Sequence, residues 1–189
     1  MNTQNNYTRT LIAVLSLAGM IIMGYLLYMH YAPTPKEGTF CNIGEGFSCD
    51  IVNKSAYSEI FGIPMAALGV LYFGLVLILS LFFYGARSLS FIGLFLIVLL
   101  GPSLYLTAIG KSELGNFCIF CETSKVLMMI IAGLAINALG LRNIGFQKLM
   151  IAFALAFALA GLTYAVHSRV VLDPFTFETN ISLKEIFIK

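Results

Sequence analysis

The chain has 189 residues, 59% of them hydrophobic and 11% charged, and a net charge of +2; its mean hydropathy is +0.92. Soluble domains carry about 25% charged residues, so this composition calls for a lipid solvent. The small net charge argues against a nucleic-acid partner. The chain contains no G-x-x-x-x-G-K-[ST], G-x-G-x-x-G or H-E-x-x-H pattern for a phosphate cradle or zinc protease.

Five runs are uncharged or nearly so: Leu11–Met29, Ile60–Ala86, Ser88–Gly110, Cys118–Leu141 and Leu149–Val166. A helix rises about 1.5 Å per residue, so roughly 20 residues cross a hydrocarbon core of about 30 Å. The fourth run carries Glu122 and Lys125 near its start, which leaves Val126–Leu141 free of charge. The first run is longer than the usual apolar core of a signal peptide, about 7–15 residues, and no small-x-small cleavage site follows it. It is therefore read as a span. The fold expected is all-α and integral to the membrane, with five transmembrane helices at about 11–31, 60–86, 88–110, 118–141 and 147–167. A transmembrane domain at 1–168 would leave a short extracytoplasmic tail at 169–189.

Counting crossings puts the loop at 32–59, with Cys41 and Cys49, on the same side as the approach to Cys118 and Cys121. All nine acidic residues fall on that side: Glu37, Glu45, Asp50, Glu59, Glu113, Glu122, Asp173, Glu178 and Glu185. The other side holds Arg9, Arg87, Arg142 and Lys148. Orientation follows Lys and Arg rather than net charge, and Lys36, Lys54 and Lys111 nearly balance that count. Redox compartment is the stronger guide, because paired thiols persist as disulfides outside the cytosol. The expectation is a bacterial inner membrane with the N-terminus cytoplasmic and the cysteines periplasmic, or the endoplasmic reticulum membrane in a eukaryote.

Three further features concern packing and the tail. In the fifth span Ala152, Ala156 and Ala160 recur four apart, a spacing that lets neighbouring helix backbones approach closely. Pro102 in the third span removes a backbone hydrogen bond and predicts a kink. In the tail, Phe175–Glu178 alternates and Ser182–Phe187 resembles an amphipathic helix. The sequons at Asn53 and Asn180 are of a kind common by chance.

Cys41, Cys49, Cys118 and Cys121 are the only cysteines. A thiol reacts as its thiolate, which the unpaired N–H groups and dipole of a helix N-terminus stabilise. Cys118 is expected at the first turn of span four with Cys121 three residues on, close enough to open and close a disulfide. A zinc site is a poor fit, since Cys41-x7-Cys49 is an unusual ligand spacing and neither histidine, His30 or His167, lies near a pair. Haem attachment is excluded because Glu122, not histidine, follows Cys121. Redox chemistry and two structural disulfides remain, and the four cysteines permit three pairings.

Cys41-x7-Cys49-Asp50, Ser55 six residues after Cys49, Phe61-Gly62-Ile63-Pro64 entering span two, and a C-x-x-C heading span four together resemble the vitamin K epoxide reductase family, most closely its bacterial members. The resemblance covers about Leu11 to Leu141. It implies a four-helix bundle around a quinone, here with one extra helix. It also implies that Cys121 faces the quinone, that Cys118 exchanges with Cys49, and that Cys41 takes electrons from a thioredoxin-like partner. Ser55 would support the loop and the active-site region; an ordinary loop N-cap is the alternative. Tyr57, Phe61, Pro64, Met65 and Lys125 join Ser55 as expected quinone-binding or supporting residues.

Three features depart from the family. Tyr57 stands where the family often has Trp. Lys125 stands four residues after Cys121, where animal members carry a quinone-contacting Tyr, which puts vitamin K epoxide in doubt as a substrate. Such a lysine either snorkels to the interface or acts on the thiolate and quinone. Many bacterial relatives carry a thioredoxin-like domain after span five; this sequence ends at Lys189, so the partner is expected to act in trans, or that domain was not part of this chain. The function expected is a membrane thiol oxidase without a metal. It would re-oxidise a periplasmic thioredoxin-like (DsbA-like) protein and reduce a ubiquinone or menaquinone within the lipid. A non-enzymatic membrane protein with two structural disulfides is the alternative, and so is a DsbB-type oxidase, whose cysteine pairs come in the reverse order.

Overall fold

A backbone crossing hydrocarbon meets no water, so an apolar run there closes its hydrogen bonds within a helix. The computed structural model describes residues 3–33, 41, 46–140 and 144–172. Its long helices are α1 (Thr3–Tyr31), α3 (Met65–Phe82), α4 (Ala86–Ser112), α5 (Ile119–Leu139) and α6 (Phe146–Leu172). All five are long and apolar enough to cross a membrane. The fold is all-α and integral to the membrane. Between α1 and α3 lie a short helix α2 (Cys49–Asn53), a single 3-10 turn (Ala56–Ser58) and the strands β1 (Glu59–Ile60) and β2 (Ile63–Pro64).

Ile60–Pro64, expected at the head of the second span, is a hairpin instead. Glu59 pairs with Pro64 and Ile60 with Ile63. Phe61 and Gly62 have φ of 53° and 76°, and positive φ at both central residues is what a tight two-residue hairpin turn demands. Helix begins only after Pro64, whose extended ψ of 135° makes it the N-cap of α3. Pro102 lies inside an unbroken α4. At the other end of the chain α6 runs past the expected boundary to Leu172; the alternating and amphipathic stretches of the tail lie outside the described residues.

Neighbouring helices are set by where small residues occur. Gly19 of α1 receives the Phe73 ring of α3, and Gly69 of α3 receives Met23 of α1. α5 packs on α1, α4 packs on α5, and α6 packs on α4, while α3 and α4 touch only slightly. The result is an arc in the order α3–α1–α5–α4–α6. Its core includes Leu26, Phe73, Ile92, Leu96, Met128 and Ile131. Far from the cysteines, Arg9 donates to the Ser80 carbonyl at 3.0 Å and to that of Leu81. It thereby satisfies carbonyls that the end of α3 leaves without helical partners.

The recurring alanines of the fifth span do face another helix: Ala152 and Ala156 are buried, and Gly101 of α4 lies against the Ala156 backbone. A methyl group at Gly101 would meet that backbone, which cannot rotate away as a side chain can. Gly101→Ala is expected to lower stability by roughly 1–3 kcal/mol, as overpacking does. Gly133→Ala on α5, with open space around it, is expected to be neutral. Thermal unfolding of the detergent-solubilised variants checks this; equal melting of Gly101→Ala and wild type would show that the crossing tolerates a side chain.

Candidate redox site

Two backbone segments far apart in sequence are stitched together beside the cysteines. Phe47 and Phe117 form a parallel bridge. The Ser48 N–H donates to the Phe117 carbonyl at 3.1 Å, and the Phe117 N–H donates to the Gly46 carbonyl at 2.8 Å. Ser48 then caps α2, its hydroxyl accepting from the Ile51 N–H at 3.3 Å. Cys49 is thus the first residue of α2. On the other segment Cys118 is the N-cap of α5, and its sulfur accepts from the Cys121 N–H at 3.3 Å.

Of the pairings open to four cysteines, Cys41–Cys49 is the disulfide, with Cα atoms 5.5 Å apart. Cys118 and Cys121 are free thiols. Cys118 Sγ lies 3.1 Å from Cys49 Sγ, and the sulfurs of Cys41, Cys49 and Cys118 fall within 4.8 Å of one another. Two of those three are bonded to each other, so the cluster is a disulfide with a third thiol beside it. Cys41, Cys49 and Cys118 are buried, whereas Cys121 is partly open. The Cys121 thiol holds the Cys118 thiol below its ordinary value; burial opposes this, and the N–H groups of Cys121 and Phe120 and the Lys125 ammonium add to it.

Both free thiols line a cavity of about 340 Å³, within the rough range of 300–1,000 Å³ usual for small-molecule sites. Every long helix contributes to its wall, with Met23, Tyr72, Leu99, Met128 and Leu162 among the apolar side chains. Ser55, Tyr57, Phe61, Met65 and Lys125 also line it. Pro64 does not; it is buried at the start of α3. Ser55 occupies the N-cap of the 3-10 turn without making a cap bond, and its hydroxyl donates to the Val52 carbonyl at 2.8 Å. Phe61, at the hairpin tip, is 85% exposed.

Lys125 turns inward instead of snorkelling. It is only 5% exposed, and its Nζ lies 2.5 Å from Glu122 Oε1. The Thr107 hydroxyl of α4 accepts from Lys125 and donates to Glu122 at 3.0 Å. The loop above is tied down by several residues. Asn53 Nδ2 donates to the Leu26 carbonyl at 2.7 Å, and Lys54 Nζ to that of Ala32 at 2.6 Å. His30 bridges the Asn53 carbonyl at 2.7 Å and the Glu59 carboxylate at 3.0 Å. From α6, His167 reaches the Glu59 carbonyl at 3.3 Å and packs its ring edge-on to Tyr57 at 5.6 Å.

Sequence reasoning missed Thr107, Asn53, His167 and the share of α6 in the wall. Glu122 and Lys125, opposite charges three apart in an apolar run, were the one signal of a buried polar cluster. For Thr107 and Asn53 no pattern stands out.

Residues 10–136 match the vitamin K epoxide reductase family. The chain belongs to that family. The match takes in all four cysteines and four of the five long helices. Membership in the vitamin K epoxide reductase family makes the protein a membrane oxidoreductase, in a family of thiol–disulfide chemistry that uses quinones and works with thioredoxin-like partners.

Positive charge favours a thiolate, so removing the Lys125 ammonium raises the Cys118 value. The two thiols titrate as a pair, in two macroscopic steps. In wild type the lower step, followed by thiolate ultraviolet absorbance, is expected below the ordinary thiol value of about 8.5. Lys125→Met should move it upward, and so should Lys125→Met combined with Glu122→Gln, which leaves no unpaired carboxylate. An unmoved lower step in both variants would remove Lys125 from the electrostatics of the site.

Proposed function

We propose that the protein is a membrane thiol oxidase that carries electrons from a thioredoxin-like, DsbA-like protein to a quinone of the ubiquinone or menaquinone class. The observation that carries this reading is the 3.1 Å contact between Cys118 Sγ and Cys49 Sγ of the Cys41–Cys49 disulfide. Behind it both free thiols open on one apolar cavity. Under the structural-disulfide alternative, a free thiol pair beside a disulfide and a cavity would have no purpose.

The relay has three balanced stages. A partner thiolate attacks Cys41, Cys49 leaves as thiolate, and the partner's second thiol closes its own disulfide and frees Cys41. Cys49 then attacks Cys118 of an oxidised Cys118–Cys121 pair, and Cys121 leaves with the electron pair. Cys41 attacks Cys49, which restores the loop disulfide and releases Cys118. In the last stage Cys118 and Cys121 close their disulfide again and hand two electrons and two protons to the quinone. The pairing observed, loop oxidised and C-x-x-C reduced, corresponds to the point just before that last stage. A DsbA-like protein is a strong oxidant, at about −120 mV, so its re-oxidation needs a stronger acceptor such as a quinone coupled to respiration.

Each cavity residue has a part in this reading. Cys121, the more open thiol, faces the ring. Lys125, held by Glu122 and Thr107, places a positive charge where the reduced ring gathers negative charge. Ser55, Tyr57, Phe61 and Met65 form the roof and rim, and Pro64 sets the start of α3 beneath them. The cysteine end faces the periplasm and the N-terminus the cytoplasm.

Cys121→Ser is expected to abolish reduction of a short-chain quinone, followed by its absorbance. It should also leave Cys118 free to attack Cys49 without a resolving thiol, so that non-reducing peptide mapping finds a Cys49–Cys118 link. Quinone turnover at the wild-type rate in Cys121→Ser would sink the assignment. An intact Cys41–Cys49 bond with no such link would sink the internal route.

A further inference from the structure

The contact of Gly101 with Ala156 divides the space between α4 and α6 in two. On the cysteine side of that crossing lies the thiol cavity, walled by Pro102 and Leu106 of α4 and by Leu159 and Leu162 of α6. On the other side the helices leave a groove of about 820 Å³ between Phe91, Leu94 and Phe95 of α4 and Ile151 and Leu155 of α6, with Leu139 of α5 alongside. Arg87 and Lys148 stand at its mouth.

These two cations are not neutralised. Among the described residues the ion pairs are His30–Glu59 and Lys125–Glu122, both toward the cysteine end, and Arg87 and Lys148 are exposed. Arg9, the other described cation at this end, is occupied by the Ser80 and Leu81 carbonyls. By the order of the spans, no Asp or Glu of the sequence falls at this end. An apolar groove that opens beneath two free cations, with no carboxylate nearby, matches an amphiphile with an anionic head. A zwitterionic headgroup brings its own cation into a site with nothing to receive it, and a free anion leaves the apolar walls unused.

We propose that this groove binds one anionic glycerophospholipid, its phosphate between Arg87 and Lys148 and the first part of an acyl chain along Phe91, Phe95 and Ile151. The site lies across the Gly101 crossing from the thiols and does not depend on the proposed electron route. Lipid bound there fills the gap between α4 and α6 and holds the far end of the helix that walls the thiol cavity.

The test uses the full chain in detergent, titrated with phosphatidylglycerol or with phosphatidylcholine of the same acyl chains and read by native mass spectrometry. One phosphatidylglycerol should be retained per protein, well ahead of phosphatidylcholine. Each cation near an anionic lipid is worth roughly fivefold in affinity, so Arg87→Gln combined with Lys148→Gln should weaken retention about thirtyfold. Ile151→Trp, which obstructs the groove where the acyl chain is placed and keeps both charges, should lose the bound lipid as well. Both variants should melt in lipid-free detergent as wild type does, which separates a lost lipid from a lost fold. Equal retention of the two lipids, or unchanged retention in the charge variant, would overturn the proposal. Loss in the charge variant with full retention in Ile151→Trp would also overturn it, by reducing the effect to a basic surface without a groove.

Discussion

The redox geometry depends on the hydrogen bonds that join Phe117 to Gly46 and Ser48. Cys49 and Cys118 are 69 residues apart, and nothing in either local sequence brings them together. The bridge fixes the backbone immediately before each cysteine, and a helix begins immediately after it: α2 at Cys49 and α5 after Cys118. Each sulfur is therefore held from both sides. A disulfide exchange needs sulfur atoms in near contact, and the entropy of bringing them there is met by backbone pairing made once, on folding. The same arrangement aims the Cys121 N–H at Cys118 Sγ, so the thiol that makes the contact is also the one whose anion is stabilised.

A polar loop above five apolar helices has to find hydrogen-bond partners, and helix ends supply them. Near the end of α1 the Leu26 carbonyl also receives Asn53, and the Ala32 carbonyl, just past the helix end where no helical N–H follows, receives Lys54. His30 of α1 and His167 of α6 both meet Glu59, one at its carboxylate and the other at its carbonyl. Glu59 opens β1, and the turn that follows places Phe61 over the cavity rim. The roof is thus fastened to α1 and α6 together.

Much of this was legible in the sequence, for a physical reason. The five apolar runs can satisfy their backbones in lipid only as helices, and a C-x-x-C at the head of one of them is placed to within a residue or two. Local conflicts were less legible. Ile60–Pro64 is apolar enough to belong to a span, and only the positive φ of Phe61 and Gly62 shows that it turns back as a hairpin. The direction of Lys125 was equally hidden, because a lysine one turn inside a helix can snorkel or turn inward, and the choice rests on Thr107 of another helix. Small residues in the fifth span announced a close helix contact. That α4 is the neighbour, and that Leu159 and Leu162 reach the thiol cavity, are consequences of three-dimensional packing that no spacing encodes.

The Lys125–Glu122–Thr107 cluster answers a question that the apolar composition raises. A lone ammonium this deep in a membrane protein is costly to desolvate, and a lone carboxylate likewise. As a pair they are neutral at a distance, and the Thr107 hydroxyl, accepting from one and donating to the other, satisfies both from a different helix. The price of burying the charges is thereby reduced, and α4 is tied to α5 one turn below the thiols. Buried ion pairs are weak sources of stability in themselves, because desolvation cancels much of their attraction. Hydrophobic side chains at these three positions would hold α4 against α5 at least as well, but they would leave no fixed positive charge beside Cys118. The cluster therefore contributes more to the electrostatics of the neighbouring Cys118 thiol than to the stability of the bundle.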